Sequence, residues 1–177
     1  MENQKNTVSP LAMSYGLYMG LALILSAVIF YVMGTPFSRV STYLSYAIVI
    51  AGITLAMRTY RDNHIEVGVT YGRLLGLGTL LSLFASLILA FFTFVLYKLI
   101  DKTLIDKLLS FMEEQFLSSG ISDNQTDAIM PMYRKALTPL TYSLGLIFST
   151  TANGFIFSLI LAIFFKKKST DPFHGVE

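Results

Sequence analysis

Between Arg73 and Lys98 the sequence carries no formal charge, and the segment that contains this run, Gly68–Lys98, sets glycines four apart at Gly68, Gly72 and Gly76. A second row of small residues follows at Gly78, Ser82 and Ser86. About 20 apolar residues in a helix match a hydrocarbon core of about 30 Å, so a run of this length crosses a bilayer. Small residues at every fourth position leave a smooth stripe on which another helix can pack closely. The chain must therefore fold around packed membrane helices.

The rest of the sequence agrees. Only 14% of its 177 residues are charged and 54% are apolar, whereas soluble domains carry about 25% charged residues. Four apolar runs hold the deficit, at Leu11–Met33, Ser41–Met57, Tyr71–Lys98 and Pro139–Phe165. The first exceeds the apolar core of a signal peptide, about 7–15 residues, and ends on bulky Phe30, Tyr31 and Val32, so it reads as a retained span. Gly16 and Gly20 lie within it. Gly34, Pro36 and Ser38 compose a turn,. The second run is the shortest, at the lower limit of about 17 residues for a span, and Arg58, Arg61, Asp62, His64 and Glu66 after it read as a charged connection. Cysteine is absent, which excludes disulfides, thiolate nucleophiles and cysteine metal sites. A net charge of +2 leaves no broad basic surface for nucleic acid.

Residues 100–138 form the one sizeable segment outside the apolar runs. Thr103–Leu117 places Ile105, Leu108, Leu109, Met112 and Phe116 on one helical face and Asp106, Lys107, Ser110, Glu113 and Glu114 on the other, an amphipathic period of 3.6. Ser119-Gly120 reads as a helix stop, and Ser122 with Gln125 as a capping box opening another helix, which Pro131 is expected to shorten or kink. The tail Ser169–Glu177 is expected to be disordered. With both termini cytoplasmic, seven bases fall inside (Lys5, Arg58, Arg61, Arg73, Lys166, Lys167, Lys168) and six outside (Arg39, Lys98, Lys102, Lys107, Arg134, Lys135). Five of the outer six belong to the long segment, so the short flanks favour this orientation.

Runs one and three share a phrase: Tyr15-Gly16-x-x-x-Gly20-Leu21-x-x-x-Leu25-Ser26 matches Tyr71-Gly72-x-x-x-Gly76-Leu77-x-x-x-Leu81-Ser82. Runs two and four echo each other at Thr42-x-Leu44-Ser45-Tyr46-Ala47 and Thr138-x-Leu140-Thr141-Tyr142-Ser143. This suggests two helical hairpins in parallel repeat, related by an axis along the membrane normal. In such a repeat the glycine faces of the first and third helices should meet. Chance likeness between apolar segments is the competing explanation.

Few side chains suggest chemistry. The helix-packing candidates are Gly16, Gly20, Gly68, Gly72, Gly76, Gly78 and Ser82, serving contacts within the chain or with a partner,. Asn153 is the intramembrane polar candidate, near the middle of the fourth run, where a polar group either serves function or bonds a neighbouring helix. Asp62, His64 and Glu66 alternate and could hold a metal, although a solvated loop beside lipid headgroups explains them more simply. Arg58, Arg61, Arg73 and Lys166–Lys168 fit anionic headgroups. Glu113 and Glu114 are adjacent, so they diverge on a helix and make a poor acid–base pair. Asn124-Gln125-Thr126 fits the glycosylation pattern, which is short enough to arise by chance. No acid or base lies deep in any run, so a proton relay lacks its usual parts.

The order of these pieces resembles a known family. Thr59-Tyr60-Arg61 follows the second span, and Tyr71-Gly72-x5-Gly78 opens the third. Ser119-Gly120-Ile121-Ser122 ends the acidic amphipathic segment, Thr138-Pro139 precedes the last span, and lysines terminate it. Over nearly the whole chain this is similar to the small four-helix membrane proteins of Bacteroidetes-type bacteria grouped as domain of unknown function 4199. Gly76 departs from that resemblance, which implies a basic residue there. The resemblance implies location and architecture and no activity. The expectation is an all-α membrane protein: a four-helix bundle of two hairpins, with an amphipathic periplasmic helical insertion between helices 3 and 4. It would sit in the bacterial inner membrane with both termini cytoplasmic. It would act without enzymatic activity or cofactor, as an accessory or scaffold subunit whose partners are the lipid bilayer and a second copy or another envelope membrane protein. The alternative is a small transporter or channel subunit. A cavity reaching Asn153 would favour that alternative, and a tightly packed interior the scaffold.

Overall fold

The computed structural model describes residues 8–63 and 69–166. His64, Glu66, Gly68, Lys167, Lys168 and the 169–177 tail lie outside the described residues, and with them the Asp62–His64–Glu66 arrangement. Of the described residues 88% are helical and none forms a strand. The elements are α1 (Val8–Val32), α2 (Arg39–Asn63), α3 (Tyr71–Val95), a π-helical turn (Leu96–Ile100), α4 (Leu104–Ser118), α5 (Asp123–Ala136) and α6 (Pro139–Phe165). Four helices are long and apolar enough to cross a membrane: α1, α2, α3 with its π turn, and α6. A helix of 25 residues is about 37 Å long, enough to exceed the hydrocarbon thickness.

Local chemistry sets the boundaries. α1 and α4 end in the same way, on Gly34 (φ 73°) and Gly120 (φ 85°). At α1, Gly34 N–H donates to the Tyr31 carbonyl and Thr35 N–H to that of Phe30, each at 3.0 Å. At α4, Gly120 N–H donates to the Leu117 carbonyl and Ile121 N–H to that of Phe116, each at 3.1 Å. This pair of backward bonds needs a left-handed residue, which glycine supplies without a Cβ penalty.

Three expectations about boundaries are corrected. α2 does not stop at Met57: it continues to Asn63. Of the charged residues, Arg58, Arg61 and Asp62 belong to its last two turns, where Arg58 and Asp62 pair at 3.9 Å and a basic end complements the helix dipole. Ser122 is the N-cap of α5, but its side chain makes no cap bond. The hydroxyl is exposed, and water can serve the free amides of the first turn instead. The capping box stands at α6, where Thr138 accepts from Thr141 N–H at 3.2 Å and Thr138 N–H donates to Thr141 Oγ1 at 2.8 Å. Pro131 does not shorten α5, which runs on to Ala136; the carbonyl its ring leaves unbonded belongs to Asp127, an exposed residue.

α3 is the central element, packing on α1, α2 and α6. Its face toward α6 is small: Gly78, Ser82 and Ser86 lie opposite Ser158, Gly154 and Thr151. The fit is reciprocal. The space beside Gly78 is filled by the Ser158 side chain, and the space beside Gly154 by that of Ser82. Each serine donates back to the glycine of its own helix, Ser82 Oγ to the Gly78 carbonyl at 2.8 Å and Ser158 Oγ to the Gly154 carbonyl at 2.6 Å. Both hydroxyls are thus satisfied without a partner across the interface, as burial in lipid demands. The opposite side of α3 receives α1: a methyl group at Gly16 would stand 2.8 Å from Phe84 Cβ, and one at Gly20 3.3 Å from Ala85 Cα. Leu74, Leu77, Leu81, Ile53, Met57 and Ala162 complete a closely packed half of the molecule.

The first and third helices therefore touch, yet their glycine faces do not meet. Gly16 and Gly20 pack on Leu81–Ile88, whereas Gly72 and Gly76 have no atom of the described residues within reach of a methyl group. The matched tyrosines behave more alike. Tyr15 shares a hydrogen bond of 2.8 Å with Thr59 of α2, and Tyr71 donates to the Leu159 carbonyl of α6 at 3.2 Å.

Gly154→Ala is expected to cost about 1–3 kcal/mol, the usual range for overpacking, because its methyl would enter the space of Ser82. Adding Ser82→Gly should recover part of that loss. Thermal unfolding in detergent of the two single variants and the double checks this, with a coupling above about 0.5 kcal/mol expected for residues in contact.

Candidate functional site: a half-depth cavity at Asn153

The closely packed half occupies one end of the long helices, and a cavity of about 190 Å³ occupies the other. One face of α6 lines it from mouth to floor with Tyr142, Leu146, Thr150 and Asn153, spaced by three or four residues as one helical face requires. α2 contributes Ser41, Ser45, Tyr46 and Val49, and α1 contributes Leu23, Ala27 and Tyr31. Phe37 and Leu104 stand over the mouth. Asn153 is the fifteenth of the 27 residues of α6, so the cavity descends to about mid-depth. Beside it Gly154 is buried against Ser82, and the packed core continues beyond.

The π turn explains why two consecutive residues of α3 reach this space. Leu96 and Tyr97 are both buried and both line the cavity, which a widened turn with i→i+5 bonding allows. Asp101 N–H closes the turn on the Leu96 carbonyl at 2.8 Å. Tyr97 then stacks on Tyr142, with ring centroids 5.1 Å apart and 24° between planes. Sequence reasoning did not find Leu96, Tyr97 or Tyr142, because no local pattern marks a π turn inside an apolar run. It also passed over Ser158, whose Gly154-x-x-x-Ser158 spacing is a readable small-residue signal.

Above the mouth, Asp101 gathers three elements. Its carboxylate accepts from the Tyr31 hydroxyl of α1 at 3.3 Å, from the Thr103 amide at 2.9 Å and from the Thr103 hydroxyl, and it pairs with Lys107 of α4 at 3.4 Å. The bonds from Thr103, and then Lys107, hold its carboxyl below the ordinary value, with only desolvation pulling the other way. Phe37 and Phe111 pack nearby, centroids 5.8 Å apart.

The remaining candidates divide by location. Gly16, Gly20, Gly78 and Ser82 lie in helix contacts; Gly72 and Gly76 do not. Arg58, Arg61, Arg73 and Lys166 gather where α2 ends, α3 begins and α6 ends. Arg61 bonds Asp62 at 3.0 Å and lies over the Phe165 ring at 5.5 Å. Among the described residues no cluster of His, Asp or Glu could hold a metal ion.

Helical content and four candidate spans define the class, a multi-span all-α membrane protein. Within that class the chain belongs to the family described as "Protein of unknown function (DUF4199)", which matches residues 14–167. No curated protein and no solved structure matches it.

Asp101 binds its proton less readily in the fold than in the unfolded chain. The stability it contributes is present above the ordinary carboxylate value, about 3.9, and is lost as pH falls through the lowered folded value. Thermal melts followed by tyrosine near-ultraviolet dichroism should show an acid loss below about pH 4. Asp101→Asn should start less stable and lack that step.

Proposed function

We propose that this protein is a non-enzymatic accessory or scaffold subunit of a bacterial inner membrane, with both termini cytoplasmic and with a second copy or another envelope membrane protein as its partner. One observation carries the reading. Gly72 and Gly76 stand in α3, the helix most engaged in packing, with no atom of the described residues within reach of a methyl group. Glycine in a helix costs about 1 kcal/mol relative to alanine, and membrane helices use small residues where another helix approaches closely. A helix from outside the chain would make use of that face. The acidic residues exposed on α4 and α5, Asp106, Glu113, Glu114, Asp123 and Asp127, supply a second contact surface beyond the lipid. The basic residues Arg58, Arg61, Arg73 and Lys166 fit anionic headgroups at the other end.

A second reading, a small transporter or channel subunit, is favoured by the cavity that reaches Asn153. The closely packed half beneath it favours the scaffold.

Two measurements test the proposal. Co-purification in mild detergent should recover either a differently tagged second copy or a defined membrane partner. Gly76→Leu should abolish that recovery at unchanged protein level, because its Cβ meets no atom of the described residues within 4 Å. A wild-type protein recovered only as a free monomer would overturn the reading. For orientation, Gln115→Cys should react with a membrane-impermeant thiol reagent in outer-membrane-permeabilised cells while Asn63→Cys does not. The reverse pattern would invert the topology.

A further inference from the structure

The cavity at Asn153 has polar groups that the chain itself leaves unused. Six hydroxyls elsewhere on the long helices bond back to their own backbone: Ser45 to Ser41, Thr54 to Ile50, Thr79 to Leu75, Ser82 to Gly78, Ser143 to Pro139 and Ser158 to Gly154, whereas Ser26 of α1, outside the cavity, is buried without a partner. The side chains of Thr150 and Asn153 make no hydrogen bond among the described residues. They stand three apart, at the inner end of the cavity's α6 wall. An amide left unbonded in apolar surroundings costs about 1–3 kcal/mol, so two such donors side by side at mid-depth call for an acceptor from outside the chain.

The walls restrict what that acceptor can be. No acid or base lines the cavity, and a charged ligand at this depth would lack a counter-charge, which is costly in a membrane. The volume of about 190 Å³ exceeds the ~150 Å³ that admits benzene and falls short of the ~300 Å³ at which drug-sized sites begin. One ring fits and a large ligand does not. Aromatic side chains flank the space, with Tyr97 stacked on Tyr142 and Tyr46 on the α2 wall, and ring faces and edges pair favourably. We propose that the cavity is a binding site for a neutral, membrane-soluble, single-ring compound carrying hydrogen-bond acceptors, of the quinone type, held by Asn153 and Thr150.

The composition of the chain makes the test direct. It has no tryptophan and ten tyrosines, so intrinsic fluorescence reports tyrosine alone. It has no cysteine, so a quinone cannot add to a thiol. Duroquinone titrated into the full chain in detergent micelles should quench tyrosine fluorescence saturably, after correction for empty micelles. Durene, the same methylated ring without carbonyls, should not compete. Asn153→Leu and Thr150→Val should each weaken the binding at least tenfold, while Ser149→Ala, at an exposed position outside the cavity, leaves it unchanged. If Asn153→Leu fails to fold, Thr150→Val decides. Absence of saturable quenching, equal competition by durene, or binding unaffected by the cavity substitutions would each overturn the proposal. Gly76→Leu should bind duroquinone as the wild type does, which separates this site from the association face of α3.

Discussion

The structure depends on a reciprocal fit between α3 and α6. Gly78 receives Ser158, Gly154 receives Ser82, and each serine hydroxyl is satisfied within its own helix. In a membrane the hydrophobic effect does not drive helices together, because lipid tails are as apolar as leucine. Close approach and dispersion must hold the helices instead, and these reward small residues that let backbones come near. Two glycine–serine pairs four residues apart supply that closeness on both helices at once. With α6 held on one side of α3 and α1 seated by Gly16 and Gly20 on the other, α3 becomes the element to which the remaining long helices are fitted.

The same fit divides the molecule along its length. On the interlocked side, Leu74, Leu77, Leu81, Ile53 and Met57 are fully buried and leave little unfilled space. Beyond Gly154, α6 buries only Ser143 toward its N-terminus, and α2 buries nothing before Val49. The cavity opens between these stretches. The π turn lies at the mouth end of the cavity, turning both Leu96 and Tyr97 inward, and Asp101 at its end ties α1 and α4 over the mouth. A rigid half and an open half in one small chain suit a protein that holds a partner along one helix face and a small neutral molecule at one end.

Much of this was legible in the sequence. Uncharged runs separated by Gly34 and by the polar 100–138 segment fixed the helix inventory, because a bilayer tolerates few alternatives to a long apolar helix. The amphipathic period of α4 and its glycine stop were equally plain. Other features were not. Charges at Arg58–Asp62 looked like a connection because a helix that leaves the membrane keeps its backbone while changing its solvent. The repeat phrase pointed to Gly72 and Gly76 as inner packing residues, whereas the inner face of α3 is the second row at Gly78 and Ser82. Spacing shows that a small-residue face exists but not which neighbour it meets, since two rows on one helix differ only by rotation. The cavity was foreshadowed by Asn153 alone; its walls come from four separate helices, and no local pattern encodes their divergence.

The packing of the long helices rests on the register of α3 against α6. A chain without native cysteine allows a direct reading of it. Gly78→Cys combined with Ser158→Cys should form a disulfide within the monomer under mild oxidation, because a Cβ at residue 78 would lie 2.9 Å from that of residue 158, closer than the usual Cβ separation of about 3.5–4.5 Å and open to slight relaxation. Gly76→Cys with Ser158→Cys, across the helix from the contact, should not. Efficient cross-linking of the 76–158 pair with none at 78–158 would contradict the interlock, and with it the division of the molecule into a packed half and an open one.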